Sequence, residues 1–99
     1  MTTYIFDIDG TICSLVIGDS YNLAKPIPKR INKINLLYDN GHIIKMFTAR
    51  GASTGKDWTD LTKNQLSKWG LKYHELIMNS KPEGDLFIDD KAINARDFF

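Results

Sequence analysis

Hydrophobic positions along the chain alternate between short strand-like runs and longer helix-like stripes. Residues 3–8 (TYIFDI) are aromatic and β-branched, as a pleated, buried surface favours, and Asp9-Gly10-Thr11 breaks the run. Residues 12–25 keep no clear period and contain Gly18, Asp19 and Asn22, so a loop or short hairpin is expected. Pro26 and Pro28 then open a segment in which Ile27, Ile31, Ile34 and Tyr38 recur at four, three and four residues. That spacing is one face of a helix, and Gly41 stands where such a helix ends. Residues 42–48 (HIIKMFT) predict a second strand. Within residues 57–69, Trp58, Leu61, Leu66 and Trp69 fall on one helical face, and Gly70 closes it. Residues 75–78 and 86–88 predict two further strands, the last followed directly by Asp89-Asp90, and residues 92–99 read as the start of a helix.

Strands alternating with helices predict an α/β fold, a three-layer Rossmann-like arrangement with a short, mainly parallel sheet. No repeat, low-complexity tract or linker interrupts the chain, so residues 1–99 are expected to form a single domain, with residues 12–25 as at most a small flap. In such sheets ligands bind beyond the carboxyl ends of the strands. Three predicted strands end in polar groups: Asp7-Ile8-Asp9, Thr48-Ala49-Arg50 and Asp89-Asp90. They are expected to meet at one edge of the sheet.

Composition narrows the classes. A hydrophobic content of 42% and a charged content of 25% are those of an ordinary folded domain and exclude disorder or a coiled coil. Thirteen Lys and Arg against twelve Asp and Glu leave a net charge of +1, which gives no bulk attraction to nucleic acid. One cysteine, Cys13, excludes an internal disulfide and a cysteine-based metal cluster. No apolar run reaches membrane-spanning length, and Asp7 and Asp9 interrupt the apolar stretch near the N-terminus. A reduced, cytoplasmic protein is expected.

The chemistry begins at Asp7-Ile8-Asp9-Gly10-Thr11. Two carboxylates this close at a strand end repel, and they either raise one pKa or recruit a cation. An acidic turn is the plain alternative. The second pair, Asp89-Asp90, is predicted at the same edge, where four acids without a local basic partner favour a hard cation held by oxygen, magnesium before zinc. Thr48, with the backbone of Ala49 and Arg50 at a strand-to-helix turn, offers an anion seat, and Lys81 adds a point charge from another loop. Together they describe a phosphate site: a cation, a hydroxyl and an ammonium around one anionic group.

On these residues the chain resembles the haloacid dehalogenase superfamily of phosphohydrolases. DIDGT at 7–11, a hydrophobic strand ending at Thr48, the loop lysine Lys81 and a strand followed by Asp89-Asp90 occur in the family's order and span almost the whole chain. The wider wording, FTARG, WTDLTKNQLSKWG and FIDDKAIN, is similar to the small capsular-polysaccharide biosynthesis phosphatases of that superfamily. The resemblance implies Asp7 as nucleophile and Asp9 as general acid and base. It implies magnesium held by Asp7, Asp9 and Asp89, with Asp90 as a further ligand or orienter. Thr48, Ala49 and Lys81 would hold phosphate, and Arg50 the phosphate or the substrate body. The substrate it implies is a small phosphorylated sugar or polyol.

Neither the stretch after the first motif nor the one before Lys81 is long enough for a cap domain, so a capless enzyme is expected. Larger relatives continue after the fourth motif with another strand and helix. Without a cap, self-association that helps to cover the site is an expectation too, with Trp69, Phe98 and Phe99 as the apolar side chains to bury. His42 and His74 lack a carboxylate partner in sequence and read as structural. Competing functions are a polynucleotide 3′-phosphatase, against which the near-neutral charge argues, and a non-catalytic phospho-accepting receiver or binding domain. Receivers carry the acidic pair and the phospho-accepting aspartate on separate strands and lack the DxDGT pattern.

Overall fold

β1 (Thr3–Asp7), β2 (Ile43–Phe47) and β3 (Glu75–Ile77) form a parallel sheet in the order β1-β2-β3. Thr3 pairs with Ile43 and Asp7 with Phe47, while Lys45 pairs with Glu75 and Phe47 with Ile77, so the strands end nearly level. The computed structural model describes residues 1–52, 54–79, 81, 84–86 and 88–99. The chain crosses from β1 to β2 through α1 (Pro28–Asp39) and from β2 to β3 through α2 (Thr59–Lys68), and both helices pack into one core on the same face of the sheet. The result is the parallel α/β architecture expected from the pattern, compatible with a Rossmann-like fold, and no cap is evident among the described residues. None of those residues forms a helix long and apolar enough to cross a membrane.

Register decides which side chains face the helices. Phe6, Ile44 and Met46 point to one side of the sheet and join Ile31 and Ile34 of α1 and Leu66 of α2 in a single core. The opposite face keeps Ile5 61% exposed and carries the Lys45–Glu75 ion pair at 3.5 Å; among the described residues no helix covers it. Pro28 starts α1 in its first turn, where a missing N–H costs nothing. Both helices end in the same paired bonds. His42 N donates to Leu37 O and Gly41 N to Tyr38 O after α1, and Leu71 N donates to Leu66 O and Gly70 N to Ser67 O after α2.

Two sequence expectations differ from the structure. The apolar stripe of α2 was expected through Trp58, Leu61, Leu66 and Trp69, yet the buried residues are Thr62, Gln65 and Leu66. Two polar side chains replace apolar ones there because a buried cation needs them, as described below. The strand expected at 86–88 does not form at Leu86 or Ile88, which are exposed, and Phe87 lies outside the described residues. Trp69, Phe98 and Phe99, the side chains expected to serve self-association, are half-buried within the chain. α3 (Ala95–Phe98) lays Phe98 against Tyr4 and Phe6 with ring centroids 5.9 and 5.6 Å apart, and Phe99 sits 5.9 Å from Phe6. Lys33 and Arg30 cap these two rings at 4.3 and 5.1 Å, and Trp69 packs against the core.

Candidate active site

β1 delivers Asp7 at its last residue, and the chain then turns so that Ile8 is fully buried while Asp9 comes back to the surface. Residues 12–25 return as a loop with a short 3-10 turn (Tyr21–Leu23), tied to the motif by Cys13 bridging Asp9 and Pro26 and by Ser14 N donating to Lys25 O. Asp7 has both oxygens occupied. Oδ1 accepts the Ile8 N–H at 2.8 Å, and Oδ2 forms an ion pair with Lys81 Nζ. Lys81 comes from the loop after β3, 74 residues away in sequence, and its side chain stays a quarter exposed.

Asp9 is held by a different cation. Arg50 Nε donates to Asp9 Oδ2 at 2.9 Å and Nη2 to Oδ1 at 2.8 Å, a bidentate pair. Arg50 is only 1% exposed, and its Nη1 donates to Thr62 Oγ1 at 3.0 Å and Gln65 Oε1 at 2.6 Å. A buried guanidinium is tolerable only when paired and hydrogen-bonded, which is why α2 turns two polar residues inward. The Tyr21 ring lies 4.7 Å from the guanidinium carbon, and Gln65 Nε2 donates to Tyr21 O at 2.6 Å. Arg50 was expected to meet phosphate or the substrate body; the residue lines the cavity, and its side chain turns to Asp9 and α2. Asp9 and α2 take four hydrogen bonds from its five N–H donors.

Thr48, one residue past β2, is 1% exposed, and its Oγ1 accepts the Arg50 main-chain N–H at 3.1 Å. Asp7, Asp9, Thr48, Ala49, Arg50 and Lys81 line one cavity of about 330 Å³, within the range of small-ligand sites, together with Leu15, Val16 and Tyr21 of the 12–25 loop. The first three sequence motifs thus converge. The fourth does not: Asp89 and Asp90 are exposed and do not line the cavity. Asp89 Oδ1 accepts the Lys91 N–H at 2.9 Å, and that bond, with help from Asp90, holds its carboxyl below the usual carboxylate range.

The expected magnesium set of Asp7, Asp9, Asp89 and Asp90 is oxygen only, which suits a hard cation in kind. In placement it does not fit. Among the described residues no three acidic, His or Cys side chains gather as a metal site, and the two carboxylates on the cavity already face Lys81 and Arg50. Both histidines are structural. His74 Nδ1 accepts the Ile44 N–H at 3.0 Å while its ring stacks 4.5 Å from Tyr38, and His42 Nδ1 accepts the Thr2 N–H at 3.1 Å.

Tyr21, Thr62 and Gln65 stand around the site without having been expected there. A signal existed for two of them: Thr62 and Gln65 are spaced i, i+3 beside Leu66, so they are polar residues on the buried stripe of an amphipathic helix. No comparable sign marks Tyr21.

Among known proteins, no family model matches the chain, and no curated protein matches it. Solved structures do share its fold. An MCSG target from Vibrio cholerae superposes with a TM-score of 0.84 at 24% identity, over 99% of this chain and 87% of that one. The D,D-heptose 1,7-bisphosphate phosphatase of B. bronchiseptica, crystallised with magnesium and phosphate, superposes with a TM-score of 0.60 at 19% identity. That match covers 93% of this chain and 54% of the other. Likeness at these identities establishes the fold and leaves the chemistry to the site.

Proposed function

We propose that this chain is a phosphomonoester hydrolase of the haloacid dehalogenase type, working through an aspartyl-phosphate at Asp7. The observation that carries the reading is the pair Asp7 and Asp9, two residues apart, each oriented by its own cation and both lining one cavity with Thr48. The fold shared with a heptose bisphosphate phosphatase supports it, and the 330 Å³ cavity suits a small phosphorylated substrate, which we take to be a sugar or polyol phosphate of surface-polysaccharide precursor metabolism.

Each step has a residue in this reading. Lys81 keeps Asp7 in place and meets a phosphate oxygen as substrate enters; Thr48 Oγ1 and the Ala49 backbone take others. An Asp7 oxygen attacks phosphorus, the ester P–O bond breaks, and Asp9 in its acid form gives its proton to the departing alkoxide, releasing the alcohol. Water then attacks phosphorus while Asp9 takes its proton, the P–O bond to Asp7 breaks, and inorganic phosphate leaves. Dividing one displacement into two lets the same carboxyl serve as acid and then as base.

Magnesium belongs to the proposal on the strength of the phosphatase crystallised with it, although the described arrangement does not seat the ion. Self-association of the capless chain, residues 1–99 as one domain, belongs to it as well. The test is phosphate release from a panel of sugar phosphates, nucleotides and 3′-phosphorylated oligonucleotides, with magnesium and with chelator. Turnover of sugar or polyol phosphates that a chelator abolishes and magnesium restores is the expected result. Turnover confined to 3′-phosphorylated ends makes it a polynucleotide phosphatase, and no release from any ester overturns the reading.

A further inference from the structure

We propose that Arg50 is a positioning residue for Asp9, fixing the carboxylate so that its Oδ2 is the oxygen that gives and takes the proton. The inference rests on the hydrolase reading above and goes beyond it, since nothing in that reading requires the buried arginine.

A guanidinium has five N–H donors, and four hydrogen bonds from Arg50 are accounted for by Asp9, Thr62 and Gln65. With its side chain fully buried, Arg50 has little left to offer a substrate. What it does is define a plane. Two parallel N–H···O bonds at 2.9 and 2.8 Å fix both the position and the rotation of the Asp9 carboxylate, which a single point charge does not. The arginine itself is fixed from α2 by Thr62 and Gln65 and from the 12–25 loop by the Tyr21 ring.

The two Asp9 oxygens are left unequal. Oδ1 accepts from Arg50 and also has the Cys13 thiol at 3.6 Å, whereas among the described residues Oδ2 has the Arg50 Nε bond alone. A carboxylate oxygen has room for two hydrogens, so Oδ2 keeps one position for a proton. Asp9 lines the cavity, with 18% of its side chain exposed. A proton-transfer group gains from such orientation because transfer needs the donor held within hydrogen-bond reach of the reacting oxygen.

A positioning role has a signature that loss of structure lacks. An alkyl phosphate needs its leaving oxygen protonated, whereas a nitrophenyl phosphate does not. The test compares kcat for p-nitrophenyl phosphate and an alkyl phosphate in wild type, Arg50→Lys, Thr62→Val and Asp9→Asn, with folding followed by circular dichroism. Arg50→Lys keeps the charge and loses the fork; Thr62→Val takes one bond from the arginine and leaves Gln65 in place. We expect Arg50→Lys to lose at least tenfold more activity on the alkyl ester than on the nitrophenyl ester. Thr62→Val should bias the same way by a smaller factor, and the Arg50→Lys/Asp9→Asn double variant should be no worse than Asp9→Asn. If Arg50→Lys does not fold, the bias of Thr62→Val decides. Equal losses on both esters in the variants that fold, or additive losses in the double variant, overturn the positioning role. A wild type inactive on both esters overturns the hydrolase reading instead.

Discussion

Cys13 is fully buried beneath the candidate site, its Sγ 3.6 Å from both Ile8 O and Asp9 Oδ1. Burial, with the Asp9 carboxylate adding to it, pushes the thiol from an ordinary 9.0 up to about 12. Its reactive thiolate is thus suppressed at neutral pH. The native protein is expected to resist iodoacetamide at pH 7 and to be labelled fully once unfolded; rapid native labelling contradicts this. The folded state favours the protonated thiol, so this contribution is present below pH 9 and is lost as pH rises toward 12. A Cys13→Ala variant should lack that alkaline loss in a melting-temperature profile. At this scale the sequence was partly legible. Asp7, Asp9, Thr48 and Lys81 stand out by residue type and spacing, and the structure brings them together. The Arg50 role was not legible, because its partners lie 12, 15 and 41 residues away and only folding joins them.

The loop after β2 carries Thr48, Ala49 and Arg50 into the site and must then leave it sharply. Gly51 makes that departure with φ +84°, and a Cβ there would lie 2.1 Å from Lys56 O and 2.9 Å from Asn79 Oδ1. Gly51→Ala therefore meets backbone on one side and left-handed strain of about 1–2 kcal/mol on its own account. For a domain of this size that strain alone lowers the melting temperature by about 4–16 °C. Phosphatase turnover should fall with it, since Arg50 is the adjacent residue; an unchanged melting temperature contradicts the constraint. Among elements, β1, α1 and β2 were legible because their periods are clean and proline and glycine mark their limits. α2 was legible in extent and shifted in its buried face, since Thr62 and Gln65 serve Arg50 rather than the apolar core. The strand expected at 86–88 does not form at Leu86 or Ile88, and Phe87 lies outside the described residues. The apolar run there has strand composition, yet Leu86 and Ile88 are exposed and only β2 is paired to β1 among the described residues.

Across the whole molecule, a three-stranded parallel sheet sends three separated pieces of chain to one end: the turn after β1, the loop after β2 and the loop after β3. That convergence follows from parallel topology, in which every strand ends on the same side, and the alternation of elements foretold it. Asp89, which no strand among the described residues carries, does not reach that end of the sheet with the other acids. Two opposed charge pairs, Asp7 with Lys81 and Asp9 with Arg50, are what the fold assembles at that end, and the proposed hydrolysis requires Asp7 as the nucleophile. The decisive measurement is turnover by Asp7→Asn on the best ester of the panel, with circular dichroism and melting temperature alongside. Asparagine keeps the shape and one acceptor but cannot form the acyl phosphate, so turnover is expected to fall on the order of 10³-fold or more while the fold persists. Near-normal turnover in a folded Asp7→Asn protein would contradict the account at its centre.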